Sequence, residues 1–103
     1  MNDDPRRRAP AASRNSAPIL EVLRKYLPES GTVLEIASGT GEHVSYFAAA
    51  MPHLNWQPTD IDPAALSSTT AYCEDAALAN LAMPQRLDVT SLDWPCAPAA
   101  GVI

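Results

Sequence analysis

The sequence predicts an α/β domain with a parallel β-sheet, and three observations support this prediction. Short apolar segments rich in β-branched residues alternate with longer segments in which apolar residues recur every three or four positions. One short segment, residues 32–36, runs straight into a loop of small residues that precedes a helix. The chain ends on a further short apolar segment, residues 101–103. This alternation is typical of a parallel sheet with helices on both faces.

The first predicted helix begins near Pro18 and ends before Pro28, which cannot continue it. Proline suits the first turn of a helix, and either Asn15 or Ser16 is placed to cap that turn. We expect residues 1–11, which include three consecutive arginines, to form a disordered, solvated tail. The apolar face of the helix would consist of Ile19, Leu20, Leu23, Tyr26 and Leu27.

The segment at residues 32–36 is predicted as a buried strand, and residues 37–41 as a loop of small residues. A second helix is expected from near Glu42 until Pro52 ends it. Its buried face would consist of Val44, Phe47, Ala48 and Met51.

Residues 54–59 are predicted as the second strand. Proline cannot donate to a β-ladder, so we expect Pro58 to lie at the end of this strand. Asp62 followed by Pro63 is a strong helix start, with the aspartate as N-cap and the proline in the first turn. We expect this third helix to reach about Ala77.

Residues 85–89 are predicted as the third strand and residues 101–103 as a fourth strand that is cut off as it begins. The fold class is therefore Rossmann-like, truncated after the start of the fourth strand, with residues 12–103 as the N-terminal half of the domain. Because the edge of the first strand would then be poorly covered, we expect the chain alone to be inactive and prone to self-association.

Composition excludes some classes of function. The chain has 103 residues, 47% of them hydrophobic, and a formal net charge of −5, which argues against general nucleic-acid binding. It contains no apolar run long enough to span a membrane and no secretory signal. Cys73 and Cys96 match no metal-ligand spacing, and we expect reduced thiols in a cytoplasmic protein without a metal site.

The loop at residues 37–41 predicts a ligand site, because small residues let a ligand approach the backbone and the following helix offers unpaired N–H groups. A dinucleotide fingerprint would have glycine or alanine at the position of Val44 after Gly39 and Gly41. Glu35, directly before the loop, would repel a pyrophosphate but attract an ammonium or a sulfonium. S-adenosylmethionine carries both of these cations, and its carboxylate suits the helix N-terminus.

Three acids lie at the ends of successive predicted strands: Glu35, Asp60 and Asp88. Because ligands bind at the carboxyl ends of strands in open α/β sheets, the three carboxylates would gather at one site. Asp60, 19 residues beyond Gly41, is placed to accept hydrogen bonds from ribose hydroxyls. Each acid also has a structural alternative: Glu35 an ion pair, Asp60 a turn before the third helix, and Asp88 a cap on the turn at Thr90.

Other polar and aromatic residues leave similar alternatives. His43, in the first turn of the second helix, is either near the cofactor or simply solvated. Arg14 and Asn15 are either capping or ligand-binding residues, and Trp56 is expected in the core rather than in an aromatic cage.

The loop resembles the E/D-x-G-x-G-x-G motif of class I methyltransferases, with Ala37 in place of the first glycine. From about Ala12 onward the chain is also similar to the methyltransferase-like protein 26 group. The matching residues are Arg14-Asn15, Pro18-Ile19-Leu20, Glu35 to Gly41, Trp56-Gln57-Pro58 and Asp60.

This resemblance implies a methyltransferase with S-adenosylmethionine as cofactor and an unknown methyl acceptor, in a sheet whose first strand lies between the second and the fourth. It implies that Glu35 faces the methionine ammonium and that Ala37, Gly39 and Gly41 line the methionine and ribose. Asp60 would hold the ribose hydroxyls, and Asp88 with the Val89 backbone would lie at the adenine edge. The catalytic residues would lie beyond Ile103. Two other functions are alternatives for this sequence: a non-catalytic cofactor-binding or interaction module, and a nicotinamide-dependent oxidoreductase.

Overall fold

The computed structural model describes residues 10–90 and 101–103. Its four strands form one parallel sheet in the order β3-β2-β1-β4, which confirms the predicted fold class and places β1 between β2 and β4. The elements are α1 (Pro10–Tyr26), β1 (Thr32–Glu35), α2 (Glu42–Ala50), β2 (Asn55–Asp60), α3 (Pro63–Ala76), β3 (Gln85–Arg86) and β4 (Gly101–Val102).

The three helices that the structure describes lie side by side as one layer on one face of the sheet. Residues 91–100, which lead to β4, lie outside the described residues, so the predicted helices on the other face are not tested. Crossovers between parallel strands are right-handed, and the steps from β1 to β2 and from β2 to β3 run in the same direction. Helices α2 and α3 therefore cover the same face. The core between this layer and the sheet joins Val33 and Trp56 of the strands to Leu20, Phe47 and Cys73 of the helices.

Helix α1 begins at Pro10, eight residues before the predicted start, so that Pro18 lies inside it. The φ angle of proline suits a helix, but proline has no backbone N–H, so the helix lacks one hydrogen bond to the preceding turn. Neither Asn15 nor Ser16 is the N-cap, because both are within the helix. Residues 10 and 11 of the predicted tail are helical, whereas residues 1–9 and Cys96 lie outside the described residues.

The predicted apolar face of α1 is correct in part. Leu20 is buried, and Leu23 and Leu27 pack against the core. Ile19 and Tyr26 are exposed, at 38% and 81% of their surface. In α2 the prediction is confirmed, since all four expected residues, Val44, Phe47, Ala48 and Met51, are buried.

Pro58 is the fourth of six residues in β2, so its predicted place at the end of the strand is wrong. Trp56 and Asp60, two residues to either side, bond to the chain on the β3 side of β2. The nitrogen of Pro58 therefore faces that side too. On that side, β2 pairs with the neighbouring segment at Leu81 and then not again until Gln85. Pro58 lies opposite this gap in the ladder, so its missing N–H leaves no ladder carbonyl without a donor.

The start of α3 is confirmed, with the Asp62 carboxylate accepting a hydrogen bond from the Ala64 N–H at 3.2 Å and Pro63 in the first turn. Strand β3 is shorter than predicted and ends at Arg86 rather than at residue 89. Its last ladder bond runs from the Leu87 N–H to the Asp60 carbonyl. The side chain of Asp88 then binds Thr90 and caps the turn there.

Candidate cofactor-binding site

The loop after β1, residues 36–41, lies where the strand order of the sheet reverses. From β1 the chain moves to β2 and β3 on one side, whereas β4 lies on the other side of β1. Ligands of open α/β sheets bind outside the carboxyl ends of the strands at such a reversal. The topology therefore places the predicted glycine loop, and the N-terminus of α2 that follows it, at the expected position of a ligand site.

Three of the five residues from Ala37 to Gly41 have a left-handed backbone. The φ angles are 58° at Ala37, 61° at Gly39 and 92° at Gly41. A Cβ atom on Gly41 would come within 2.7 Å of the Cα of Thr69, so the loop packs directly against helix α3. A Cβ built on Gly39 would make only an ordinary van der Waals contact, 3.9 Å from the carbonyl oxygen of Ala37. The glycines thus serve different needs, a close approach at Gly41 and a left-handed turn at Gly39.

Asp60, the last residue of β2, joins this loop to the start of α3. Its Oδ2 accepts a hydrogen bond from the Gly39 N–H at 2.9 Å. Its Oδ1 accepts from the N–H groups of Ile61 and Asp62 at 2.8 and 3.0 Å. Asp60 therefore does stabilise the turn before α3, as its structural alternative proposed, and it also binds the glycine loop. A carboxylate has about four acceptor positions, so capacity remains for a ligand hydroxyl.

A cleft of about 140 Å³ lies at the carboxyl ends of β1, β2 and β3. Four of the predicted site residues line it: Ala37, Asp60, Asp88 and Val89. The remaining lining is apolar and comes from Ile36, Ile61 and Leu87. An apolar cleft with two carboxylates at its rim suits a flat, partly polar ring system with hydroxyl groups attached.

Asp88 both caps the turn at Thr90, which was its structural alternative, and lines the cleft. Its Oδ1 accepts hydrogen bonds from the Thr90 N–H at 2.9 Å and from the Thr90 hydroxyl at 2.6 Å. These two bonds lower the pKa of Asp88, which therefore stays ionised at neutral pH. Both bonds use Oδ1, and the cap on the turn fixes where the carboxylate lies at the rim of the cleft.

Glu35 ends β1 and does not line the cleft, because only 7% of its surface is exposed. Its Oε1 is buried and has no hydrogen-bond partner within the described part of the chain. Burial raises the pKa of Glu35 to about 7; a hydrogen bond from Ser38 opposes this effect, and the negative charge of Asp60 adds to it. Among the side chains that the structure describes, those of residues 15–90 and 101–103, no basic group pairs with Glu35; the side chain of Arg14 lies outside them.

His43 lies between α1 and the core rather than in the cleft. Its Nδ1 is joined to the Ser16 hydroxyl by a hydrogen bond of 3.2 Å, and its ring stacks on Phe47 with 5.5 Å between the ring centroids. Trp56 is buried at 1% exposure and contacts the Phe47 ring, which confirms its prediction as a core residue. Asn15 is exposed on α1, and the side chain of Arg14 is outside the described structure.

Sequence reasoning missed three hydroxyl side chains that hold the loop. The Ser38 hydroxyl accepts a hydrogen bond from the Thr59 N–H at 3.0 Å, while Ser68 and Thr69 of α3 donate to carbonyls of the loop. A signal was present in the sequence. The inward face of α3 consists of the small residues Ala65, Ser68, Thr69 and Cys73 at helical spacing, which indicates close approach to another backbone.

Neither a metal site nor a membrane-spanning helix is found in the part of the chain that the structure describes. Among residues 10–90 and 101–103, no group of three or more histidine, cysteine, aspartate or glutamate side chains is arranged to hold a metal ion. Within the same residues, every helix is too short or too polar to cross a membrane.

The fold is shared with methyltransferases of known structure. A SAM-dependent methyltransferase from Aquifex aeolicus matches with a TM-score of 0.61 and 16% identity, over 78% of this chain and 43% of that protein. PKMT2 from Rickettsia typhi, in complex with AdoHcy, matches at 0.60 and 22%, over 74% of this chain and 15% of that protein. Coclaurine N-methyltransferase, bound to N-methylheliamine and SAH, matches at 0.65 and 13%, over 78% and 24%. The chain thus spans less than half the length of each of these proteins.

A family comparison covers nearly the whole sequence. The family described as a protein of unknown function, DUF938, matches residues 6–102. The chain therefore belongs to the DUF938 family, and its fold is the Rossmann-like fold of the class I S-adenosylmethionine-dependent methyltransferases.

Proposed function

We propose that this chain provides the S-adenosylmethionine-binding part of a methyltransferase whose acceptor is unknown. In this proposal Glu35 faces the methionine ammonium, and Ala37, Gly39 and Gly41 line the methionine and ribose. Asp60 accepts hydrogen bonds from ribose hydroxyls. Asp88 and the backbone of Val89 lie at the adenine edge, in the cleft. We further propose that the chain is related to the methyltransferase-like protein 26 group, on the residues around the loop and at Trp56-Gln57-Pro58.

The observation that carries this proposal is the unpartnered Oε1 of Glu35. A buried carboxylate without a counter-charge is unfavourable, and its raised pKa reflects that cost. A cationic ligand beside the loop would supply the missing partner, whereas a pyrophosphate would add a second negative charge. The same residue therefore favours S-adenosylmethionine over a dinucleotide.

The other described residues fit the remaining parts of the cofactor. The bond from the Gly39 N–H fixes the Asp60 carboxylate at the edge of the cleft, where it can accept from a hydroxyl. The apolar surfaces of Ile36, Ile61 and Leu87 suit the faces of an adenine ring. When bound, the cofactor supplies an electrophilic methyl group, and the contribution of these residues is to bind and orient it.

Binding is tested by adding S-adenosylhomocysteine and NAD in parallel, at equal concentration, to the chain during thermal unfolding. We expect S-adenosylhomocysteine to raise the unfolding temperature more than NAD does, because ligand binding to the native state stabilises it. A larger rise with NAD would overturn the proposed cofactor. Calorimetric titration of S-adenosylhomocysteine then gives the dissociation constant for comparison with variants.

Catalysis is tested separately, by incubating the chain with a cell extract and S-adenosylmethionine labelled in its methyl group. Transfer of label to an extract component supports a methyltransferase and isolates the acceptor. Binding of S-adenosylhomocysteine without any transfer is expected both of a cofactor-binding part that needs further residues for catalysis and of a non-catalytic cofactor-binding module.

A further inference from the structure

Helix α3 holds the glycine loop through two neighbouring hydroxyl side chains. The Ser68 hydroxyl donates to the carbonyl oxygen of Thr40 at 2.7 Å, and the Thr69 hydroxyl donates to that of Gly39 at 3.4 Å. Both side chains are 0% exposed. Two consecutive carbonyl groups of the loop are thus tied to the same turn of α3.

The contact between α3 and the loop is also close in van der Waals terms. A Cβ built on Gly41 would be 2.7 Å from the Cα of Thr69, 3.0 Å from its Oγ1 and 3.2 Å from its Cβ. The loop therefore cannot move toward α3. The two hydroxyl bonds oppose movement away from it, so that the loop is restrained in both directions.

The bonds to α3 also determine where the N–H groups of the loop point. In a trans peptide the C=O and the N–H of one unit point in opposite directions. Because the Gly39 carbonyl is directed to Thr69, the Thr40 N–H in the same peptide unit is directed away from α3. The Gly39 N–H, in the preceding unit, already binds Asp60 at 2.9 Å. The Gly41 N–H binds the Ser38 carbonyl at 3.1 Å, so the donor that helix α3 orients for a ligand is the Thr40 N–H.

We propose that Ser68 and Thr69 are positioning residues of the cofactor site, a role that rests on the function proposed above. They contact the loop and not the ligand. Their hydroxyl groups hold the backbone of residues 39–41, with Gly39 and Gly41 in the left-handed conformation, so that the Thr40 N–H and the carboxylate of Asp60 are set for binding. Ser68, with the shorter bond, restrains the position of the loop more strongly, and Thr69 holds the peptide unit that carries the Thr40 N–H.

The test is the dissociation constant of S-adenosylhomocysteine for the full chain and its variants, measured by calorimetry. Ser68→Ala removes the hydrogen bond to the Thr40 carbonyl, and we expect binding about three- to tenfold weaker. Thr69→Val removes the second hydroxyl at nearly constant volume and should weaken binding less. Thr69→Ser retains that hydroxyl and should bind within about twofold of the unsubstituted chain.

Two controls separate positioning from general stability. Ser67 is the exposed neighbour of Ser68, so Ser67→Ala should leave binding unchanged. Asn80 donates to the carbonyls of Ala48 and Leu54 at 2.9 and 3.0 Å, at the far end of α2 from the loop. Asn80→Ala should lower the unfolding temperature without changing the affinity. Amide hydrogen exchange at residues 39–41 should become faster in Ser68→Ala but not in Asn80→Ala.

The outcomes distinguish this inference from the function on which it rests. If the unsubstituted chain does not bind S-adenosylhomocysteine, the proposed function is overturned and this inference with it. If it binds, and both Ser68→Ala and Thr69→Val bind equally well, only the positioning role is overturned. If Ser68→Ala does not fold, the comparison of Thr69→Val with Thr69→Ser decides.

Discussion

The backbone N–H of Gly39 donates a hydrogen bond of 2.9 Å to Oδ2 of Asp60. This bond joins the loop after β1 to the end of β2, across 21 residues of sequence. One carboxylate therefore sets the position of the glycine loop and also borders the cleft. Loss of this side chain should affect both the shape of the loop and the binding of a ligand.

The first prediction concerns Asp60→Ala. Removing a charged acceptor that binds ribose hydroxyls should cost about 1.5–3 kcal/mol, which weakens S-adenosylhomocysteine binding by about 10- to 150-fold. Calorimetric titration measures this change. Asp62→Ala is the matched control, because it removes a nearby exposed carboxylate that caps α3 without lining the cleft. Equal affinity of the Asp60→Ala and Asp62→Ala chains would remove Asp60 from the site.

The second prediction concerns the pH dependence of stability through Glu35. Its pKa rises from 4.5, the value expected in the unfolded chain, to about 7 in the folded protein. Between these pH values the native state binds more protons than the unfolded state, so stability falls as pH rises through this window. The difference of about 2.5 in pKa corresponds to roughly 3 kcal/mol, lost in full above pH 7.

Glu35→Gln removes this titration and serves to measure it. Urea unfolding from pH 5 to 8 should show the unsubstituted chain losing stability relative to the Glu35→Gln variant as pH rises. A constant difference between the two chains across this range would contradict the raised pKa of Glu35.

The same carboxylate predicts a pH dependence of ligand binding. Because a cation is attracted only by the ionised carboxylate, binding of S-adenosylhomocysteine should strengthen from pH 6 to 8, and it should strengthen less in the Glu35→Gln variant.

The sequence was sufficient to predict the elements with strong local signals. The Asp62-Pro63 start of α3 and the apolar face of α2 follow from capping and from helical spacing, and the structure has both. The place of β1 between β2 and β4 followed from the family resemblance, and the connection rules of parallel sheets leave few other possibilities.

Features that depend on distant residues were not predictable. Pro58 is tolerated inside β2 only because the neighbouring chain leaves the ladder between Leu81 and Gln85. Helix α1 extends to Pro10 although Pro18 favours a start eight residues later. For the candidate site, the positions of the acids at the predicted strand ends and of the glycines in the loop could be read from the sequence. It could not show that Glu35 is buried without a partner, because burial depends on the packing of the whole sheet.

The third prediction concerns Ala37, which has φ 58° in the loop. A left-handed conformation costs a residue with a Cβ about 1–2 kcal/mol, and glycine avoids this cost. Glycine also loses more entropy on folding, by about 0.4–1 kcal/mol. We therefore expect Ala37→Gly to raise the free energy of unfolding by about 0.5–1 kcal/mol in urea denaturation. A loss of stability would show that the methyl group of Ala37 makes favourable contacts that outweigh the strain.

The fourth prediction compares Gly41→Ala with Gly39→Ala. Both residues have positive φ angles, so alanine is strained at either position by about 1–2 kcal/mol. At Gly41 the new Cβ would also lie 2.7 Å from the Cα of Thr69, a backbone atom that can move only if α3 moves. At Gly39 the nearest atom is 3.9 Å away.

Gly41→Ala should therefore destabilise the chain by about 1–3 kcal/mol more than Gly39→Ala, the cost of overpacking a filled site. Urea unfolding of the two variants measures the difference. It also tests the seating of the loop on α3, because both substitutions add the same methyl group within one short loop. Equal destabilisation would mean that the loop can move away from Thr69, and that the hydroxyl bonds from α3 do not restrain it.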